Sequence, residues 1–223
     1  MDQGRILFAR VNRSGNMVAL ESWGNPVLVG KYPFKILFTQ DGQYLMTTNL
    51  QWGADVRGFW AEAPRGAIAV VRFASQAEQP EQQQHFLVSV AETGVSPEGI
   101  AISPNGRLVA TVNLERSYLP YNDSRITWFS SLTLMEFDPR TGHLETLGDF
   151  LYEGILPEAL VFDRSGNYLA VANYDHFDDA QRGGSIDFWR VILNDGTHPA
   201  PRLVQTNHSV PVTRGVHSLV LVP

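Results

Sequence analysis

The chain has 223 residues, of which 43% are apolar and 18% charged, with a formal charge of −6 and no cysteine. This composition can build a sizeable core and excludes a disordered chain. It also excludes disulfides, thiolate metal sites and a cysteine nucleophile, and an acidic balance without a Lys/Arg cluster argues against nucleic acid as a partner. No apolar run approaches the ~18 residues of a membrane-spanning helix, and MDQGRILFARV lacks the basic start and long apolar core of a signal peptide. No membrane partner is expected, and the compartment stays open.

From the N-terminus, GRILFARV (4–11) and VALESW (18–23) read as two strands. YPFKILFTQDGQYLMTTNL (32–50) then reads as two short strands joined at the turn dipeptide Asp41-Gly42. A loop follows, then the strands GAIAVVRF (66–73) and HFLVSV (85–90). The same order returns from SPEGIAISPNGRLVATVNLERS (96–117), with its turn at Asn105-Gly106, through SSLTLMEF (130–137) and LETLGDF (144–150). It returns again from LPEALVFDRSGNYLAVANY (156–174) through GSIDFWRV (184–191) and PRLVQT (201–206). VHSLVLVP at the C-terminus opens a further copy, with Val216 at the position of Pro33, Pro97 and Pro157. Turn glycines (Gly42, Gly106, Gly166) and strand-end asparagines (Asn49, Asn113, Asn173) match across the copies, which recur every ~60 residues. No stretch carries a helical period.

Four-stranded units repeated in this way predict an all-β chain folded as a β-propeller. With the strands of a blade labelled a to d, one domain spans 1–223: strands c and d in 1–31, whole blades in 32–95, 96–155 and 156–214, and the start of the next in 215–223. Three whole blades and a split fourth imply part of a larger propeller, about seven-bladed, whose missing blades or self-association would complete it; a closed four-blade ring is the other reading. Strand a lines the channel, so Phe34, Glu98, Glu158 and His217, each just after the proline position, ring one channel mouth. The b-to-c loops open on that face and carry Trp52, Trp60, Arg116, Tyr118, Tyr121 and Asp175. Two carboxylates facing one channel would raise each other's pKa, as general-base work requires. Structural readings stand beside these. Glu98 and Glu158 could pair with Arg116 or Arg182, the asparagines could bond their own turns, and the aromatics could pad the loops. The run Asp175, His176, Asp178, Asp179 suits a solvated loop more than a cation site, and His85, His143, His198 and His208 are expected on the surface.

PEGIAISPNGRLVATVN and PEALVFDRSGNYLAVAN resemble the blade motif of lactonase-type seven-bladed propellers, the family of bacterial 6-phosphogluconolactonase and fungal carboxymuconate cyclase. The resemblance implies catalysis by His, Glu and Arg residues at the channel mouth. Here His217 takes the channel histidine's place, with Glu98 and Glu158 replacing it in two blades. The family's Asn-Glu pair at the end of strand b becomes Asn113-Leu114-Glu115. The implied function is hydrolysis of a sugar-acid or related lactone without a cofactor. Glu98, Glu158 or His217 would be the base and Arg116 the oxyanion partner, with Asn113, Asn173, Trp52, Trp60, Tyr118 and Tyr121 binding the small-molecule ligand. A more distant resemblance, to gluconolactonase-type propellers, implies a variant with a calcium or magnesium ion on Glu98, Glu158, Asn113, Asn173 and Asp175. The alternative is a non-enzymatic module that holds a peptide, sugar or protein partner on its aromatic loops.

Overall fold

The computed structural model describes residues 4–74, 84–177, 183–193, 196 and 199–222. They form strands and loops with no helix among them. Strands β5 (Pro33–Phe38), β6 (Tyr44–Asn49), β7 (Arg65–Arg72) and β8 (Phe86–Val95) make one antiparallel meander. Strands β9 (Pro97–Ile102), β10 (Leu108–Asn113), β11 (Ser130–Asp138) and β12 (His143–Tyr152) make the second. Strands β13 (Ile155–Phe162), β14 (Tyr168–Asp175), β15 (Gly184–Ile192) and β16 (Arg202–Val212) make the third. These are propeller blades with a, b, c and d in chain order.

The core lies between blades, and the second sheet packs one face against each neighbour. Strands β6 and β10 are buried along their whole length, which requires apolar or hydrogen-bonded side chains at every position. Met46, Ile68, Val109, Met135 and Phe137 fill the gap between the first two sheets, and Val112, Leu132, Leu160, Leu169 and Trp189 fill the next. The a-to-b turns are closed by a repeated side-chain lock. Tyr44 N–H donates to Thr39 Oγ1, Leu108 N–H to Ser103 Oγ and Tyr168 N–H to Asp163 Oδ1, all at 2.9–3.0 Å, and a glycine at φ 67–72° follows each lock's midpoint.

The N-terminal pair is less regular than its sequence suggests. The expected strand 4–11 is split: β1 (Arg5–Ile6) pairs with β4 (Val27–Leu28), while β2 (Ala9–Ser14) pairs with β3 (Met17–Ser22). At the break, Phe8 turns in to stack on His85, ring centroids 4.0 Å apart, and packs edge-on to Phe73. His85 is a correction to its expected surface position, being only 2% exposed. Its Nδ1 accepts from Ala74 N–H, its Nε2 bonds the Trp23 carbonyl oxygen, and its backbone exchanges hydrogen bonds with the Asn25 amide. It fastens the N-terminal strands to the first whole blade.

At the other end, the expected strand a of 215–223 is not paired as a strand over 215–222. The segment nevertheless lies alongside β13. Gly215 N–H donates to the Tyr174 carbonyl, His217 meets Glu158, and Arg164 Nη2 donates to the Val222 carbonyl at the far end. It runs in the direction of a strand a, with no strand b among the described residues to bond it.

Candidate functional site

The site begins with a backbone device repeated in every blade. The residue before the proline position is left-handed each time: Tyr32 at φ 54°, Ser96 at 55°, Leu156 at 50° and Gly215 at 97°. Each non-glycine residue of this kind costs about 1–3 kcal/mol. Immediately afterwards the a–b ladder bulges. Pairing breaks between Pro33 and Ile36, across Glu98-Gly99, and between Pro157 and Ala159. A bulge re-aims the side chains at its kink, and these kinks hold Phe34, Glu98 and Glu158.

Glycine brings two of them together. A Cβ on Gly99 would sit 2.9 Å from both Leu160 Cδ2 and Val112 Cγ2 and 3.0 Å from the Glu158 carbonyl oxygen. Only glycine lets β9 and β13 approach so closely. Across that gap the Glu98 and Glu158 carboxyls share a hydrogen bond. Glu98 is 8% exposed. Burial first, then the bond to Glu158 and that group's charge, push its pKa up to about 9, against a pull downward from Lys35. Burial and the facing carboxyl thus favour the protonated form of Glu98 at neutral pH. His217 Nδ1 lies 3.3 Å from Glu158 Oε1, and its exposed ring packs edge-on to Tyr174 at 5.4 Å. The Glu98 and Glu158 carboxyls and the His217 ring thus form one row beside the starts of β9 and β13.

The remaining candidates divide. Arg116 does not reach this row: its Nε donates to the Ala61 carbonyl at 2.8 Å and its Nη2 to that of Ala63 at 3.2 Å, clamping two loops together. Asn113 and Asn173, expected to open on the mouth, are fully buried inside their blades. Asn113 bonds Ser131, Thr133 and Thr111, and Asn173 bonds Ser185, Asp187 and Tyr152. At a strand end the amide finds partners on the neighbouring strand before it finds solvent. Glu115 is likewise turned between blades, accepting from Ser131 Oγ and Val95 N–H, and burial raises its pKa.

The aromatics line the same end. Trp52 Nε1 donates to Ser96 Oγ at 2.8 Å, and its ring lies 5.2 Å from Tyr32. Trp60 packs on Tyr118 at 5.1 Å, and Tyr121 stacks on Trp128 at 5.5 Å, with Phe177 against Trp128. The Tyr118 hydroxyl is sealed from solvent beside Ser96 and makes no well-formed hydrogen bond; burial raises its pKa to about 12. Sequence reasoning missed Lys35, Gly99 and Ser96. Each sits within one residue of a matched repeat position, so the alignment of copies held the signal.

Among the described residues, no three acidic or histidine side chains converge to hold a metal. Of the suggested ligands, the asparagines are bonded within their blades and Asp175 is ion-paired with Arg214 at 2.8 Å. Only the Glu98 and Glu158 carboxyls remain, two side chains where a calcium ion takes six to eight oxygen ligands, so the set does not fit a divalent cation. Asp178, Asp179, Arg182 and His198 lie outside the described residues.

No protein-family model and no curated protein matches the chain. Among solved structures, it is similar to a protein of Bacteroides fragilis provisionally assigned as a 6-phosphogluconolactonase, at TM-score 0.61 and 15% identity over 95% of this chain and 50% of that one. It is also similar to a functionally unknown protein of Desulfotomaculum acetoxidans, at TM-score 0.53 and 15% identity over 85% of this chain and 51% of that one. At this identity the likeness is one of fold alone, a β-propeller of four-stranded blades. The chain spans about half the length of both proteins.

Proposed function

We propose that the mouth hydrolyses a lactone, with a sugar-acid lactone as the substrate class. The observation that carries this reading is the buried Glu98–Glu158 carboxyl pair with His217 beside it. Lactone opening needs a base for water and an acid for the departing ring oxygen, and a pair sharing one proton supplies both. Water gives a proton to Glu158, whose Oε1 lies 3.3 Å from His217 Nδ1, while its oxygen bonds the acyl carbon. Glu98 delivers its proton to the ring oxygen as the ring C–O bond breaks. The products are one hydroxy acid, a protonated Glu158 and an ionised Glu98, and the proton returns along their shared hydrogen bond. Glu98 is thus the acid rather than the base its sequence position suggests.

A second reading, recognition of a ring-bearing ligand without chemistry, draws on the exposed Tyr121–Trp128 stack outside the carboxyl pair. Turnover of D-glucono-δ-lactone decides between them. Catalysis by the wild type, lost in Glu158→Gln at an unchanged thermal midpoint, supports hydrolysis. Binding of the lactone without turnover leaves recognition.

A further inference from the structure

Beside the a-to-b turn of the first whole blade lies a cavity of about 380 Å³, lined by Trp23, Asp41, Gln43, Arg72 and Phe73. It sits at the turn end of the blade and shares no residue with the Glu98–Glu158 pair. Its size falls within the about 300–1,000 Å³ of small-ligand sites. Two opposite charges face it, Asp41 exposed and Arg72 half-buried. Asp41 Oδ1 accepts from Thr39 Oγ1 at 2.6 Å and from Gln43 N–H at 3.0 Å, and these bonds hold its pKa below the ordinary value. Its Oδ2 takes part in neither bond. The Arg72 guanidinium lies over the Phe86 ring at 5.5 Å. Among the described residues, the two are ion-paired neither with each other nor with a third group.

The fold itself needs neither charge. In the second blade the neutral Asn105 makes the same two bonds, its Oδ1 accepting from Ser103 Oγ at 2.7 Å and Arg107 N–H at 3.0 Å. Arg72 stands opposite Tyr44, where its repeat counterpart Glu136 stands opposite Leu108. The apolar part of the lining is aromatic: Trp23 and Phe73 lie within 3° of parallel, centroids 5.9 Å apart.

We propose that this cavity binds a free α-amino acid with an aromatic side chain, its ammonium on Asp41, its carboxylate on Arg72 and its ring against Trp23 and Phe73. A carboxylate and a guanidinium that face one cavity without pairing match the two ends of a zwitterion, and the guanidinium fork suits a carboxylate. The aromatic lining takes the apolar remainder of the ligand. A dianion would meet Asp41 and a polyamine would meet Arg72, so neither fits as well. A residue inside a peptide carries neither free end.

The test is calorimetric titration of the wild type with L-phenylalanine, N-acetyl-L-phenylalanine and L-phenylalaninamide, and of Asp41→Asn and Arg72→Gln with L-phenylalanine. The expected result is binding of L-phenylalanine by the wild type. Each blocked ligand and each variant should bind about 10-fold or more weakly, the scale of one charge-assisted hydrogen bond. Asp41→Asn should keep its thermal midpoint, because asparagine preserves the turn's two bonds as Asn105 does. Should Arg72→Gln lower the midpoint, L-phenylalaninamide on the wild type reads the same contact without a substitution. Absence of L-phenylalanine binding by the wild type overturns the inference. So does full affinity for either blocked ligand, or full affinity in Asp41→Asn.

Discussion

Glu98 owes its chemistry to burial more than to its neighbour, since desolvation is the largest cause of its raised pKa and Glu158 the next. This has a consequence for stability. Unfolded, the group ionises at its ordinary 4.5; folded, it holds its proton to about 9. Its contribution is fully present below 4.5 and is lost progressively as pH rises through about 9, because the unfolded chain releases a proton the folded one keeps. Thermal midpoints of wild type should therefore slope downward across that window, and Glu98→Gln should flatten the slope. Equal slopes would mean that the pair is not sharing its proton. Glu98, Glu158 and His217 were legible in sequence because a repeat offset predicts a shared ring position. Asn113, Asn173 and His85 were not. Their faces are chosen by partners on other strands, as with Phe8 and Trp23 around His85, and one strand's pattern carries no record of those partners.

At the scale of the strand, the bulged start of strand a is the device that makes a site. PEGIAI reads as a regular apolar strand, and neither the bulge nor the left-handed Ser96 follows from it. Two glycine substitutions separate close approach from turn strain. Gly99→Ala drives a Cβ against Leu160, Val112 and the Glu158 backbone, and should cost about 1–3 kcal/mol as overpacking does. It should also part the carboxyls and bring the pKa of Glu98 down. Gly106→Ala meets nothing within 4 Å but must hold φ 71°, and should cost about 1 kcal/mol with the site untouched. Urea midpoints with a titration of Glu98 check both. A Gly99→Ala protein with wild-type stability and titration would show that the gap between β9 and β13 is not set by glycine.

Over the whole molecule, the propeller was legible because blades repeat and turns are locked locally, whereas how the outer sheets are covered is not a local property. The first whole blade leaves Ile36 52% and Phe38 58% exposed on its inner strand, and β3 is exposed along its whole length. Exposed apolar strand faces invite association. Sedimentation should show this chain self-associating with concentration, and Phe38→Lys should weaken that association at an unchanged thermal midpoint. A monomer at every concentration would contradict this.

The central claim, a carboxyl pair that works as acid and base on a lactone, is met most directly by the pH dependence of kcat/KM for D-glucono-δ-lactone, with the uncatalysed rate subtracted. The account predicts that the wild-type rate falls on the alkaline side with an inflection near 9, where Glu98 loses its proton. Glu98→Gln should be slower by about 100-fold or more and lack that inflection. An alkaline limb that persists in Glu98→Gln, or a wild type with no turnover at any pH, would contradict it.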